Sequence, residues 1–286
     1  MKKYALCTLL LTLFPICAMD KKETLKWTLA HYKKEQSVDW TGLCHVLKDI
    51  VPKGKSSVLH VTCGIGHTSE SLAEIANTVY ALDRDQEQLE FARKRYAYNP
   101  RLKFIGDNYA GEFIHQCDLA VIDVGTMVNN DRDLFSLVHK NLKPEGRCYY
   151  IVETQESSNP LALNAATELV LENQSQFKSA GSLLTLLKNI QPQTDAQVQQ
   201  ELEKIGFNVI SIKHTSLDIE IENEKECKEL HAALLLLHIP TISPQSTKEF
   251  CRLALEKIMA TIKKDKEDKW VYPFKRTIIE LQKKHN

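Results

Sequence analysis

Two glycines and a series of acids stand in this chain at spacings that permit chemistry. Ser57 to Val61 is a largely apolar run that breaks into Cys63-Gly64-Ile65-Gly66 and opens into a helix-like segment, Thr68 to Asn77. A second apolar run, Val79 to Leu82, ends in Asp83. A glycine turn between a strand and a helix lets a ligand approach the backbone N–H groups at the helix N-terminus. An acid at the tip of the next strand can accept both hydroxyls of a ribose. Together they predict a site for a nucleoside-containing cofactor at the carboxyl edge of a parallel sheet. Spacing alone leaves the cofactor open. A dinucleotide fingerprint wants a small residue three positions after the second glycine, and Ser69 stands there.

The elements that must hold these residues follow in order. Asp85 to Tyr98 reads as a helix, and Leu102 to Ile105 as a third strand leading into Gly106-Asp107-Asn108. Cys117 to Asp123 is a fourth strand, and Asn130 starts a helix that runs to Leu142. Leu142-Lys143-Pro144-Glu145-Gly146-Arg147 reads as a helix stop and turn before a fifth strand, Cys148 to Val152. Such alternation argues for a parallel sheet with helices on both faces. Upstream, Asp20 to Val51 reads as helical. Downstream, Leu161 to Glu172 and Ser182 to Ile190 look helical, and Asp195 to Ile205 is a helix stopped by Gly206. Phe207 to Lys213 and Val271 to Leu281 read as strands flanking a helical insertion, Glu220 to Lys266.

Five pieces in this order, Val58–Gly66, Ala81-Leu82-Asp83, Gly106-Asp107-Asn108, Asp118–Asp123 and Leu142–Gly146, resemble the class I, Rossmann-like S-adenosylmethionine-dependent methyltransferases. The resemblance extends over about Tyr32 to His214. It implies an α/β fold: a seven-stranded, mostly parallel, doubly wound sheet with helices on both faces and helical insertions forming a cap. It also implies S-adenosyl-L-methionine as cofactor. Asp83 would take the ribose hydroxyls, Arg84 would flank the adenine, and Asp107 and Asn108 would meet the adenine amino edge. His60, Cys63, Gly64 and Gly66 would lie around the amino-acid portion, with Asp123 where methyl donor and acceptor meet. Tyr32, Met127 and Asn129 are the candidates on the acceptor side, with Thr126 and Asn130 beside them. The expected domain spans 19–286, with a cofactor half at about 52–153 and cap elements at about 19–51, 154–193 and 215–270.

The chain departs from the family pattern at three places. His60 stands where an acid is usual, Thr62 where a glycine is usual, and His67 where a further glycine is common. Two readings stay open. One is methyl transfer to a small-molecule acceptor, with no catalytic residue assigned, because an activated methyl group needs alignment more than a dedicated base. The other is a catalytically degenerate binding protein of the same fold. A third, an NAD-type oxidoreductase, lacks a recognisable hydride-transfer site.

Lys+Arg and Asp+Glu both number 37, so no global basic field gathers nucleic acid. Residues 1–18 read as a secretory signal: Lys2 and Lys3, an apolar core from Ala5 to Phe14, and a small-residue end at Ala18. That core is too short to span a bilayer as a helix. None of the eight cysteines shows C-x-x-C spacing, and no metal site is expected. Their placement in core-like runs suits reduced thiols and a cytoplasmic working place, whereas the leader suggests export.

Overall fold

The computed structural model describes residues 56–106, 117–123, 132–157, 161–172, 192–221, 256–260 and 270–284, with positions 184, 224 and 253. The chain divides into two compact units. One comprises 1–37, 159–191 and 217–274; the other comprises 38–158, 192–216 and 275–286.

A single seven-stranded sheet carries the site. Its strands are β1 (Ser57–Val61), β2 (Thr78–Leu82), β3 (Leu102–Ile105), β4 (Cys117–Asp123), β5 (Leu142–Val152), β6 (Phe207–Ile221) and β7 (Trp270–Lys283). They lie in the order β3-β2-β1-β4-β5-β7-β6. β1 pairs in parallel with β2 and β4, β2 with β3, and β4 with β5. β7 runs antiparallel to β5, with Thr277 opposite Val152 and Leu281 opposite Cys148. The expected mostly parallel sheet of seven strands is therefore present.

Helices cover both faces because β1 and β4 are apolar on both, as strands buried on two sides must be. Leu59 and Val61 of β1 and Ala120 and Ile122 of β4 join a core with α3 (Arg132–Asn141) and α5 (Asp195–Ile205), through Phe135, Val138, Val198 and Leu202. Val58 and Val121 point the other way, toward Leu72, Ala73 and Ile75 of α1 (His67–Ile75) and Ala92 of α2 (Gln86–Arg95). Helix α5 begins in a capping box made by Thr194 and Gln197 and ends on Gly206 at φ 107.

Two boundaries differ from expectation. Leu142 already pairs with Cys117, and the register then slips before Leu119 meets Arg147. The Pro144-Glu145 stretch thus bulges out of β5 instead of preceding it. β6 runs on to Ile221, so the insertion expected from Glu220 starts after strand. In the other unit, α4 (Leu161–Glu172) buries Ala165, Leu169 and Val170. There Lys257 Nζ lies 2.6 Å from Glu172 and 3.6 Å from Glu168. Among the described residues no helix is long and apolar enough to cross a membrane. Cys63, Cys117 and Cys148 are buried free thiols.

Candidate functional site

The turn after β1 is built on three residues with positive φ: Thr62 (62°), Gly64 (54°) and Gly66 (90°). Glycine adopts such angles freely, but a β-branched threonine does so only under strain. Thr62 is held there from both sides. Its hydroxyl lies within reach of the Val61 carbonyl and, at 2.5 Å, of the Asp123 carbonyl at the end of β4. This side chain, unremarked as a contact in the sequence, ties the carboxyl ends of β1 and β4 together.

Asp83 meets the same turn from β2. Gly64 N–H donates to its Oδ2 at 2.7 Å, and Asp85 N–H donates to Oδ1 at 2.9 Å. Burial pushes its carboxyl up, opposed by those N–H donors. Each carboxylate oxygen has further lone pairs, so two donors leave acceptor capacity. Asp85 caps α2 by accepting from the N–H groups of Glu87 and Gln88. Its spacing to Gln88, three residues on, is the sequence signal of that cap. A Cβ on Gly64 would come 3.1 Å from the Gln88 side chain, so the turn and the start of α2 stand close together.

The other turn residues serve packing more than openness. Gly66 N–H is used within the turn, bonded to Cys63 O at 3.0 Å. A Cβ there would lie 2.9 Å from Tyr96 and 3.0 Å from Phe104. The space beside Gly66 is filled by aromatic rings. Cys63 is buried, its N–H bonded to Leu82 O at 3.0 Å; burial and the Asp83 charge push its thiol up. It is an apolar packing group rather than a nucleophile.

His60 has a different place from the one expected. It is fully buried, and its Nδ1 shares a 2.7 Å hydrogen bond with the equally buried Ser69 of α1. Burial lowers its pKa to about 3, so it is neutral at physiological pH. It ties β1 to the first turn of α1. Its Nε2 is buried with no hydrogen-bond partner. His67, at the start of α1, lies 3.3 Å from the Tyr96 hydroxyl, and burial lowers its pKa to about 4.

The structure therefore brings Cys63, Gly64, Gly66, Asp83 and Asp123 to one edge, with His60 directly beneath the turn. Arg84 follows Asp83 and is exposed. Tyr32, Asp107, Asn108, Thr126, Met127, Asn129 and Asn130 lie outside the described residues, as do residues 1–18. Among the described residues no cluster of three or more metal-ligating side chains occurs.

Residues 58–146, which hold all of this geometry from β1 to the β5 bulge, match a family described as a methyltransferase domain. The match is consistent with the class I, Rossmann-like methyltransferase resemblance over that stretch. No curated protein matches the sequence. Solved structures agree on the fold. A candidate methyltransferase of Bacillus halodurans C-125 aligns at TM-score 0.54 and 13% identity, covering 85% of this chain and 99% of its own. The YcgJ protein of Bacillus subtilis aligns at 0.51 and 14%, covering 85% and 98%. An S-adenosylmethionine-dependent methyltransferase of Thiobacillus denitrificans, solved with S-adenosyl-L-homocysteine, aligns at 0.50 and 12%, covering 84% and 90%. The chain shares the sheet order of a doubly wound fold with these structures, while its first turn is held by threonine and histidine.

Proposed function

We propose that the carboxyl edge of β1, β2 and β4 binds S-adenosyl-L-methionine and that the protein transfers its methyl group to a small-molecule acceptor. The observation that carries this reading is the meeting of Gly64 and Asp83. A carboxylate oriented by two backbone N–H groups, with acceptor capacity left over, suits the vicinal hydroxyls of a ribose. The family match over residues 58–146 supports the same reading. When bound, the cofactor supplies a methyl group that is already activated.

The chain's own groups then have defined tasks. Asp83 holds the ribose, and the turn around Gly64 gives backbone approach to the ligand. Asp123 stands at the tip of β4, its carbonyl fixed by Thr62. Arg84, Asp107 and Asn108 are assigned to the adenine side, and Tyr32, Met127 and Asn129 to the acceptor side. His60 supplies no negative charge to the cofactor's amino-acid end. It is a strut between β1 and α1.

A second reading, a degenerate binding protein, draws on the same turn. A neutral, buried His60 and a strained Thr62 occupy the positions of the family's acid and glycine. Incubation with methyl-labelled S-adenosylmethionine and a small-molecule cell extract separates the two. Label appearing in extracted small molecules supports transfer. Binding with no labelled product in any fraction favours the second reading. The secretory reading of residues 1–18 is likewise a proposal, tested by N-terminal sequencing of protein recovered from its cell.

A further inference from the structure

The strand order β3-β2-β1-β4-β5 has its switch point between β1 and β4, because the chain leaves β1 for β2 on one side and crosses back to β4 on the other. In an open α/β sheet, ligands enter the crevice outside the carboxyl ends of the strands at that point. Val61 lies opposite Ile122 in the parallel register, so Thr62 and Asp123 come next and stand at the mouth of the crevice. The Thr62 hydroxyl donates to the Asp123 carbonyl. A side chain thus bridges the crevice.

The backbone makes threonine a costly choice there. Thr62 holds φ 62, where a branched side chain is strained and glycine is not. A residue kept in strain by its surroundings points to a task at that place. The next two residues of the turn lean the other way. Cys63 N–H donates to Leu82 O at 3.0 Å and Gly64 N–H to Asp83 at 2.7 Å, both toward β2. Thr62 carries the turn's side-chain bond to β4.

The consequence for ligands rests on the nucleoside reading given above. A ribose held at Asp83 through its two hydroxyls, with its base toward β3, turns its 5′ carbon away from the base and toward β1 and β4. Whatever hangs on that carbon meets the bridged crevice. We propose that Thr62 is a specificity-determining residue of this site: its branched side chain narrows the crevice between β1 and β4, so that nucleosides with a compact 5′ group bind in preference to those with an extended amino-acid group. A glycine in its place leaves the crevice open and the backbone unstrained. S-adenosyl-L-methionine then binds the parent with its amino-acid end crowded, at reduced affinity.

Isothermal titration of the full chain with two ligands tests this. Methylthioadenosine and S-adenosyl-L-homocysteine share the nucleoside and the 5′ sulfur, and differ in whether that sulfur carries a methyl group or an amino acid. The parent is expected to bind methylthioadenosine the more tightly. Thr62→Gly is expected to tighten S-adenosyl-L-homocysteine by about tenfold, the relief of one crowded contact, and to leave methylthioadenosine within about twofold. Thr62→Val keeps the branched shape without the hydrogen bond, and is expected to keep the parent's preference. Circular dichroism at the titration temperature checks that both variants are folded. An equal change for both ligands in Thr62→Gly overturns the role of Thr62 and leaves the nucleoside reading in place. A gain in Thr62→Val that matches the glycine variant's does the same. Binding of neither ligand to any of the three proteins overturns the nucleoside reading, and this inference with it.

Discussion

Replacing His60 by asparagine tests how the first turn is held. The imidazole is buried, bonded to Ser69, and neutral in the fold, with its pKa lowered from 6.5 to about 3 by burial. In the unfolded chain it takes a proton near 6.5; in the folded chain it refuses one. Its folded value lies below its unfolded value, so folding is unaffected by it above 6.5 and loses stability as pH falls from there toward about 3. From 6.5 to about pH 5 is about 1.5 pH units at about 1.4 kcal/mol each, a loss of about 2 kcal/mol. Asparagine at 60 can still bond Ser69 but does not titrate. Urea denaturation followed by circular dichroism, at about pH 7.5 and about pH 5, gives the comparison. The parent is expected to lose about 2 kcal/mol more between the two conditions than His60→Asn does. His67 also titrates below its ordinary value but is present in both proteins, so the difference isolates His60. Equal losses in parent and variant refute the buried neutral strut.

Three further outcomes follow from the same turn. Asp83→Asn keeps one acceptor and loses the charge, and is expected to weaken S-adenosylhomocysteine by about 1.5–3 kcal/mol in a calorimeter while leaving the thermal midpoint within a few degrees of the parent. Thr62→Val keeps the branched side chain at φ 62 but loses the bond to Asp123, and is expected to cost about 1 kcal/mol in urea; Thr62→Gly relieves the strain as it loses the bond, and its cost stays below that of valine. Gly66→Ala places a Cβ 2.9 Å from the Tyr96 ring at φ 90, and is expected to destabilise the fold by more than about 2 kcal/mol; a neutral result would show that the aromatic wall yields.

Much of the frame was legible because its signals are local. β4 needs two apolar faces, and Leu119 to Ile122 supplies them without a break. Helix α5 announces itself by Gly206 at its end, and its capping box at Thr194 emerges only in the structure. Asp83 falls at the tip of β2, where an acid after an apolar run was expected. What escaped was non-local. The turn-like Leu-Lys-Pro-Glu-Gly-Arg stretch hides a strand start, because Leu142 finds its partner in Cys117, and only the residues after it loop out. His214 and Thr215 look too polar for strand, yet β6 continues through them because their hydroxyl and ring bond to β7. The motif, read along one strand, sets His60 against the cofactor. Its true partner, Ser69, is nine residues away and meets it only once α1 has packed on β1. Thr62 stands where a glycine is usual, but nothing in the sequence joins it to Asp123 across two strands.

Isothermal titration of the full chain with S-adenosyl-L-methionine, S-adenosyl-L-homocysteine and NAD bears most directly on the central claim. Saturable binding of the first two, with none for NAD, is the result this account predicts, since the proposed site at Asp83 and Gly64 holds one ribose. Binding of NAD, or of none of the three, would contradict it.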